Sequence, residues 1–164
     1  MSRARSKLQG NWRLTRRHFW LGAAALAGAT LLSPQFSFAQ VVTPKPGAAL
    51  RAEVLNALRP RVAAEIGGAI DFKVDTLRVL QDWAFVSAKP QRPGGASIDW
   101  LKTKFREQWQ AGQGSDVVLA LLKREGGAWT VVECDIGPTD VAWLDWIEKD
   151  HAPRLVFTDD PNIH

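Results

Sequence analysis

Two stretches constrain the fold most: "DFKVDTLRVLQDWAFVSA", residues 71–88, and "DVVLALLKREGGAWTVVECDI", residues 116–136. Each holds two apolar-rich runs separated by a tight turn, Gln81-Asp82 in the first and Glu125-Gly126-Gly127 in the second. That pattern predicts two antiparallel hairpins, and no parallel crossover pattern accompanies them. In the first, Phe72 and Val74 alternate with Asp71, Lys73 and Asp75, and the apolar phase then shifts to Leu77 and Val79. One extra residue near Asp75-Thr76, a β-bulge, keeps both pairs on one face. The return strand is Trp83 to Ala88, followed by the loop "KPQRPGGAS". In the second hairpin, Val117 to Leu122 is apolar on both faces, as in a strand covered on both sides. Thr130, Val132, Cys134 and Ile136 then alternate against Trp129, Val131, Glu133 and Asp135.

Helical periodicity flanks the hairpins. Leu50, Val54, Leu58, Val62 and Ile66 recur every four positions, the stripe of an amphipathic helix. Pro60 lies inside it and disfavours helical backbone at Arg59, which predicts two pieces with a kink, ended by Gly67-Gly68. Near the C-terminus, Thr139 or Asp140 caps a helix with Trp143, Leu144, Trp146 and Ile147 on one side. Asp145 and Lys149 form an acid-before-base pair opposite, and Pro153 ends the helix. The segment "DWLKTKFREQWQ", residues 99–110, stays open: its residues alternate as a strand does, yet Leu101, Phe105 and Trp109 also fit a helix. This order predicts an α+β fold, an antiparallel sheet of about four to five strands with an N-terminal and a C-terminal helix packed on one face.

The first 39 residues are of another kind. They carry six Lys/Arg and no acid, and include Thr15-Arg16-Arg17-His18-Phe19-Trp20 followed by the Ala/Gly-rich run Leu21 to Ser33. The run is about 13 residues, short of the roughly 20 that span a bilayer. Pro34 stops it, and Ser37-Phe38-Ala39 offers small residues where a signal peptidase reads. The segment resembles the twin-arginine (Tat) export signals of bacteria through Arg16, Arg17 and Phe19, with Leu21 where those signals often have Lys. The resemblance implies export through the Tat translocase to the periplasm or beyond, with cleavage between Ala39 and Gln40. An ordinary Sec signal or an uncut anchor is the alternative.

The expected organisation is then a cleavable signal at 1–39, an extended lead-in at 40–49, a single α+β domain at 50–157 and a frayed tail at 158–164. The whole chain is +4, but without the signal 15 basic residues face 17 acidic ones. The basic balance belongs to the address, so it does not point to nucleic acid. No membrane span is expected after cleavage. Cys134 is the single cysteine, which excludes an internal disulfide and leaves an apolar core to hold the domain.

Candidate chemistry is sparse. Beyond the signal only His151, His164 and Cys134 offer nitrogen or sulfur ligands, without CxxC or HxxxH spacing, so neither metal nor cofactor is expected. Asp159, Asp160 and His164 could chelate only weakly from a solvated tail. Cys134, alternating with Val132 and Ile136, reads as a buried, inert thiol. Glu148 and His151 can touch at i, i+3, although an imidazolium also suits a helix C-terminus. Asp140 precedes His151 by about 16 Å of helix, too far for a direct dyad. Asp135 and Asp140 flank the Gly137-Pro138 turn. No G-x-S-x-G, Walker or Rossmann string occurs.

Tryptophan is the unusual component: the chain has eight and no tyrosine. Most read as core. Trp100 and Trp109 differ, because they flank Lys102, Lys104 and Arg106, an interleaving that suits stacking on sugar rings and pairing with anionic groups. A solvated basic face over two packed indoles is the plainer reading of the same residues.

The element order is similar to cystatin-like and NTF2-like folds. "DWAFVSAKPQ" and "WTVVECDIGPTDVAWLDW" also resemble small exported bacterial domains without assigned function, a likeness that brings no catalytic residue with it. Two functional expectations follow. One is an exported binding or interaction module, its partner a periplasmic protein or cell-wall glycan. The other is a small NTF2-like enzyme with Asp135, Asp140 or His151 as acid or base. A pocket of several hundred Å³ lined by convergent polar groups would favour the enzyme, and a filled sheet–helix interior the module.

Overall fold

Strand β1 (Asp71–Leu80) and strand β2 (Trp83–Gln91) pair antiparallel across Gln81-Asp82 in the computed structural model, which describes residues 40–160. Leu80 faces Trp83 across this two-residue turn, with Gln81 at a left-handed φ of 54°. The register slips between Val74 and Thr76, so the bulge falls where the phase change predicts it. Phe72, Val74, Leu77 and Val79 accordingly pack into one cluster.

β2 is longer than its sequence pattern indicated. Lys89, Pro90 and Gln91 continue the pairing with β1 rather than starting the loop. Pro90 is tolerated because pairing on the other side of β2 stops at Ala88, leaving an edge position where a missing N–H breaks no ladder bond.

β3 (Val118–Glu125) and β4 (Ala128–Ile136) form the second hairpin, and the sheet order is β1-β2-β3-β4. Gly126 and Gly127 have φ of 58° and 87°, the doubly left-handed turn that two-residue hairpins favour. A second register shift overturns the expected alternation of β4. Leu121 pairs with Glu133 and Leu122 with Val131, so Val132 is an unpaired extra residue, 38% exposed. Trp129 and Val131 therefore join Cys134 and Ile136 in the cluster, whereas Thr130 and Val132 are exposed.

Helix α1 (Ala49–Ile66) is one continuous helix through Pro60, not two pieces. Val54, Leu58, Val62 and Ile66 are all buried against the sheet. Burial contributes roughly 1.5–3 kcal/mol for each such side chain, which together outweighs the ~3 kcal/mol cost of an interior proline. Packing decides the outcome over propensity.

The helices do not share a face. Ala84, Val86, Ala88, Val118, Ala120 and Leu122 pack with α1, while the alternate residues Phe85, Leu119 and Leu121 pack with helix α3 (Trp143–Lys149) and the segment after it. There Trp143 stacks on Phe157 at 5.4 Å and 9°, and Val156 is wholly buried. The one-face arrangement expected from the element order is thus corrected, because β3 is apolar on both sides and each side needs a cover. Neither Thr139 nor Asp140 caps α3; its N-cap is Ala142, with no side-chain bond.

The lead-in reaches the sheet as well: Val42 exchanges both backbone hydrogen bonds with Val79, at 2.7 and 2.8 Å. The Asp159 carboxylate accepts from both terminal nitrogens of Arg78, one at 2.8 Å. Among the described residues no helix is long and apolar enough to cross a membrane. The export signal, with Arg16, Arg17, Phe19 and Ala39, lies outside the described residues, as does His164.

Candidate functional site

Residues 99–110 are neither a strand nor one helix. Trp100–Lys102 forms a 3-10 turn and Arg106–Gln110 a short helix, α2. Thr103 divides them: its hydroxyl donates to Trp100 O at 2.7 Å and accepts from the Phe105 N–H at 3.2 Å, a local closure that competes with helix propagation. The break turns both indoles to the same side. Trp100 is 7% exposed, and Trp109, half-buried, stacks on it with centroids 5.3 Å apart and planes within 10°. Phe105 meets Trp100 edge-on at 5.9 Å.

Gly114 fixes Trp109 from the following loop. A Cβ there would lie 2.7 Å from three atoms of the indole, so only glycine lets the backbone approach this closely. Gln108 ties α2 to its surroundings by donating from Nε2 to Gln113 O at 3.2 Å and Gly137 O at 3.1 Å.

The cations between the indoles face elsewhere. Lys102, Lys104 and Arg106 line a shallow depression of about 420 Å³ with Leu101, Thr103 and Glu107, and neither indole lines it. Lys102 pairs with Asp99 at 2.9 Å, which raises the lysine above its ordinary range. Lys104 donates to Glu65 and lies over the Phe105 ring at 5.4 Å. That bond holds the Glu65 carboxyl below the usual range, with smaller help from the charges of Lys104 and Arg61. Arg106 is exposed. The interleaved sequence is sorted into two different surfaces.

The indoles instead border a groove of about 310 Å³. Buried Pro90, Ile98 and Trp100, with half-buried Trp109, form its apolar side; Lys89, Gln91, Ser97 and Asp116 supply polar groups. Lys89 Nζ donates to Asp116 at 3.0 Å, joining β2 to the approach of β3. Sequence reasoning missed these four polar residues, because Lys89 and Gln91 fell in an apparent loop. A third depression, about 400 Å³, lies along α1 between Arg51, Arg59 and Phe72.

The acid/base candidates are not gathered around any of these depressions. Asp135 is half-buried; burial first, then the charges of Glu133 and Asp140, push its carboxyl up, against the pull of Lys149. Lys149 pairs with Glu133 on β4, not with Asp145 on its own helix. α3 ends at Lys149, so His151 is not on the helix with Glu148; it is exposed, at a left-handed φ of 54°. Cys134 is half-buried, and its thiol is pushed up to about 11, first by burial. Asp159 is held by Arg78, and among the described residues no group of three or more His, Cys, Asp or Glu could hold a metal ion.

Compared with known proteins, the chain matches no family model, no curated protein and no solved structure.

Proposed function

We propose that this protein is exported through the twin-arginine pathway and works in the periplasm or outside the cell as a small binding module without chemistry of its own. The address rests on Thr15-Arg16-Arg17-His18-Phe19 and the short apolar run behind it. The observation that carries the binding reading is the filled interior. Val54, Leu58, Val62, Leu77, Val86, Val118 and Leu122 are wholly buried between α1 and the sheet, where a cone-shaped enzyme would keep its pocket. The groove beside the two indoles sets the polar groups Lys89, Gln91, Ser97 and Asp116 against an apolar side.

A second reading draws on Asp135, whose raised carboxyl is the kind of group general acid catalysis uses. One experiment separates the two. Protein recovered from the periplasmic fraction is incubated with that fraction, and the retained component is analysed by mass spectrometry. The module returns its ligand chemically unchanged. A retained component that is converted by wild type, and not by the Asp135→Asn variant, favours the enzyme.

A further inference from the structure

We infer that the groove between Lys89 and Trp109 is a sugar site whose ligand is a neutral pyranose unit of a glycan. This rests on the binding reading above and names the ligand class. A pyranose ring has an apolar C–H face and a rim of hydroxyls. The groove has the matching division, with Ile98, Trp100 and Trp109 on one side and Lys89, Gln91, Ser97 and Asp116 on the other. Trp109 offers the groove a fixed ring edge, since Trp100 stacks on the indole and Gly114 packs over its pyrrole ring. Little side-chain freedom is left to lose on binding.

The charge state of the rim selects neutrality. Lys89 and Asp116 are already paired at 3.0 Å, and both are about half exposed, at 42% and 49%. A charged ligand would meet a rim with no net charge and would face a like charge on one member of the pair. Vicinal hydroxyls avoid this: one donates to the Asp116 carboxylate while its neighbour accepts from Lys89 Nζ, and the pair stays intact. The Gln91 amide and Ser97 hydroxyl can each donate and accept, as a polyol requires. At about 310 Å³ the groove is at the small end of ligand sites, which run from about 300 to 1,000 Å³. It suits a single sugar unit.

The test is titration calorimetry of the purified full chain with tetrasaccharides of N-acetylglucosamine, of β-1,4-glucose and of α-1,4-glucose, and with a glutamate-rich peptide. At least one neutral sugar is expected to saturate with Kd below about 1 mM. Asp116→Asn and Gln91→Ala should each weaken it about tenfold or more at unchanged Tm. Replacing Lys102, Lys104 and Arg106 by Gln should leave it within about twofold. The assignment is overturned if no neutral sugar binds up to about 10 mM, if the groove variants bind as wild type does, or if the acidic peptide binds more tightly. A protein that binds no sugar yet retains a periplasmic component unchanged loses the groove assignment and keeps the module reading. Conversion of the retained component fails the module reading itself.

Discussion

Trp100 and Trp109 stack with ring centroids 5.3 Å apart, and the stack places the Trp109 indole where a Cβ on residue 114 would sit 2.7 Å from it. Three segments of chain are therefore fixed by one another: the 3-10 turn, α2 and the loop into β3. Gly114→Ala must displace either ring or backbone, which costs about 1–3 kcal/mol in a packed setting. The expected result is a Tm several degrees lower by calorimetry. Trp100→Ala should cost more, about 3–5 kcal/mol for a buried indole. An unchanged Tm for Gly114→Ala would mean that Trp109 does not occupy this position.

The cations of the same segment should matter little to folding. Lys102 and Lys104 are exposed, and solvent screens their ion pairs, so these add little to stability. The triple replacement of Lys102, Lys104 and Arg106 by Gln is expected to melt within a few degrees of wild type. A collapse of the fold would give the Lys104–Glu65 contact a structural weight that its exposure argues against.

Asp135 gives a pH signature. Its carboxyl is raised in the folded protein, so the folded state binds the extra proton between the unfolded value, about 3.9, and the higher folded one. Stability on this account falls as pH rises through that window and stays lower at neutrality. Asp135→Asn should raise Tm at pH 7, and the gain should vanish below about pH 4. Asp159 and Glu65 run the other way. Their carboxyls are lowered by Arg78 and Lys104, so their contribution is present above the ordinary carboxylate range and lost as pH falls through their folded values. In the Asp135→Asn background, a melting temperature that rises on acidification to pH 3 would contradict these two assignments.

Cys134 should be silent in the native state. With its thiol at about 11, only about one molecule in ten thousand is thiolate at pH 7. Ellman's reagent is expected to react slowly until denaturant is added, and Tm should be indifferent to dithiothreitol. Rapid stoichiometric labelling of folded protein would show an accessible thiolate.

Much of this fold was legible in the sequence because period-two patterning and turn chemistry agree along it. The Asp75 bulge, the Gln81-Asp82 turn and the Gly126-Gly127 turn all follow from residues read in order. What was not legible depended on partners distant in the chain. Val132 is displaced by a register shift that only pairing with β3 reveals. α1 continues through Pro60 because four buried side chains hold it to the sheet. The second helical face was announced by the doubly apolar β3, yet assigning it needed the knowledge that one helix cannot cover both sides. The candidate site was half visible. Trp100 and Trp109 stood out by composition, but the Thr103 break that separates them from the cations is a local closure that two competing periodicities concealed.

Export is expected to depend on the arginine pair itself. Changing Arg16 and Arg17 to Lys keeps the charge, yet full-length protein should accumulate in the cytoplasm, read by fractionation and blotting. Periplasmic delivery of that variant, or delivery lost only when Sec is blocked, would contradict the address.

The central claim is that this protein binds through the groove beside Trp109 and does not act through Asp135. Amide hydrogen exchange, with and without the component retained from the periplasmic fraction, tests it most directly. Protection gained in the segments bearing Lys89, Gln91, Ser97 and Asp116 is the result the account predicts. Protection confined to the strand and turn around Asp135, Asp140 and His151 would contradict it.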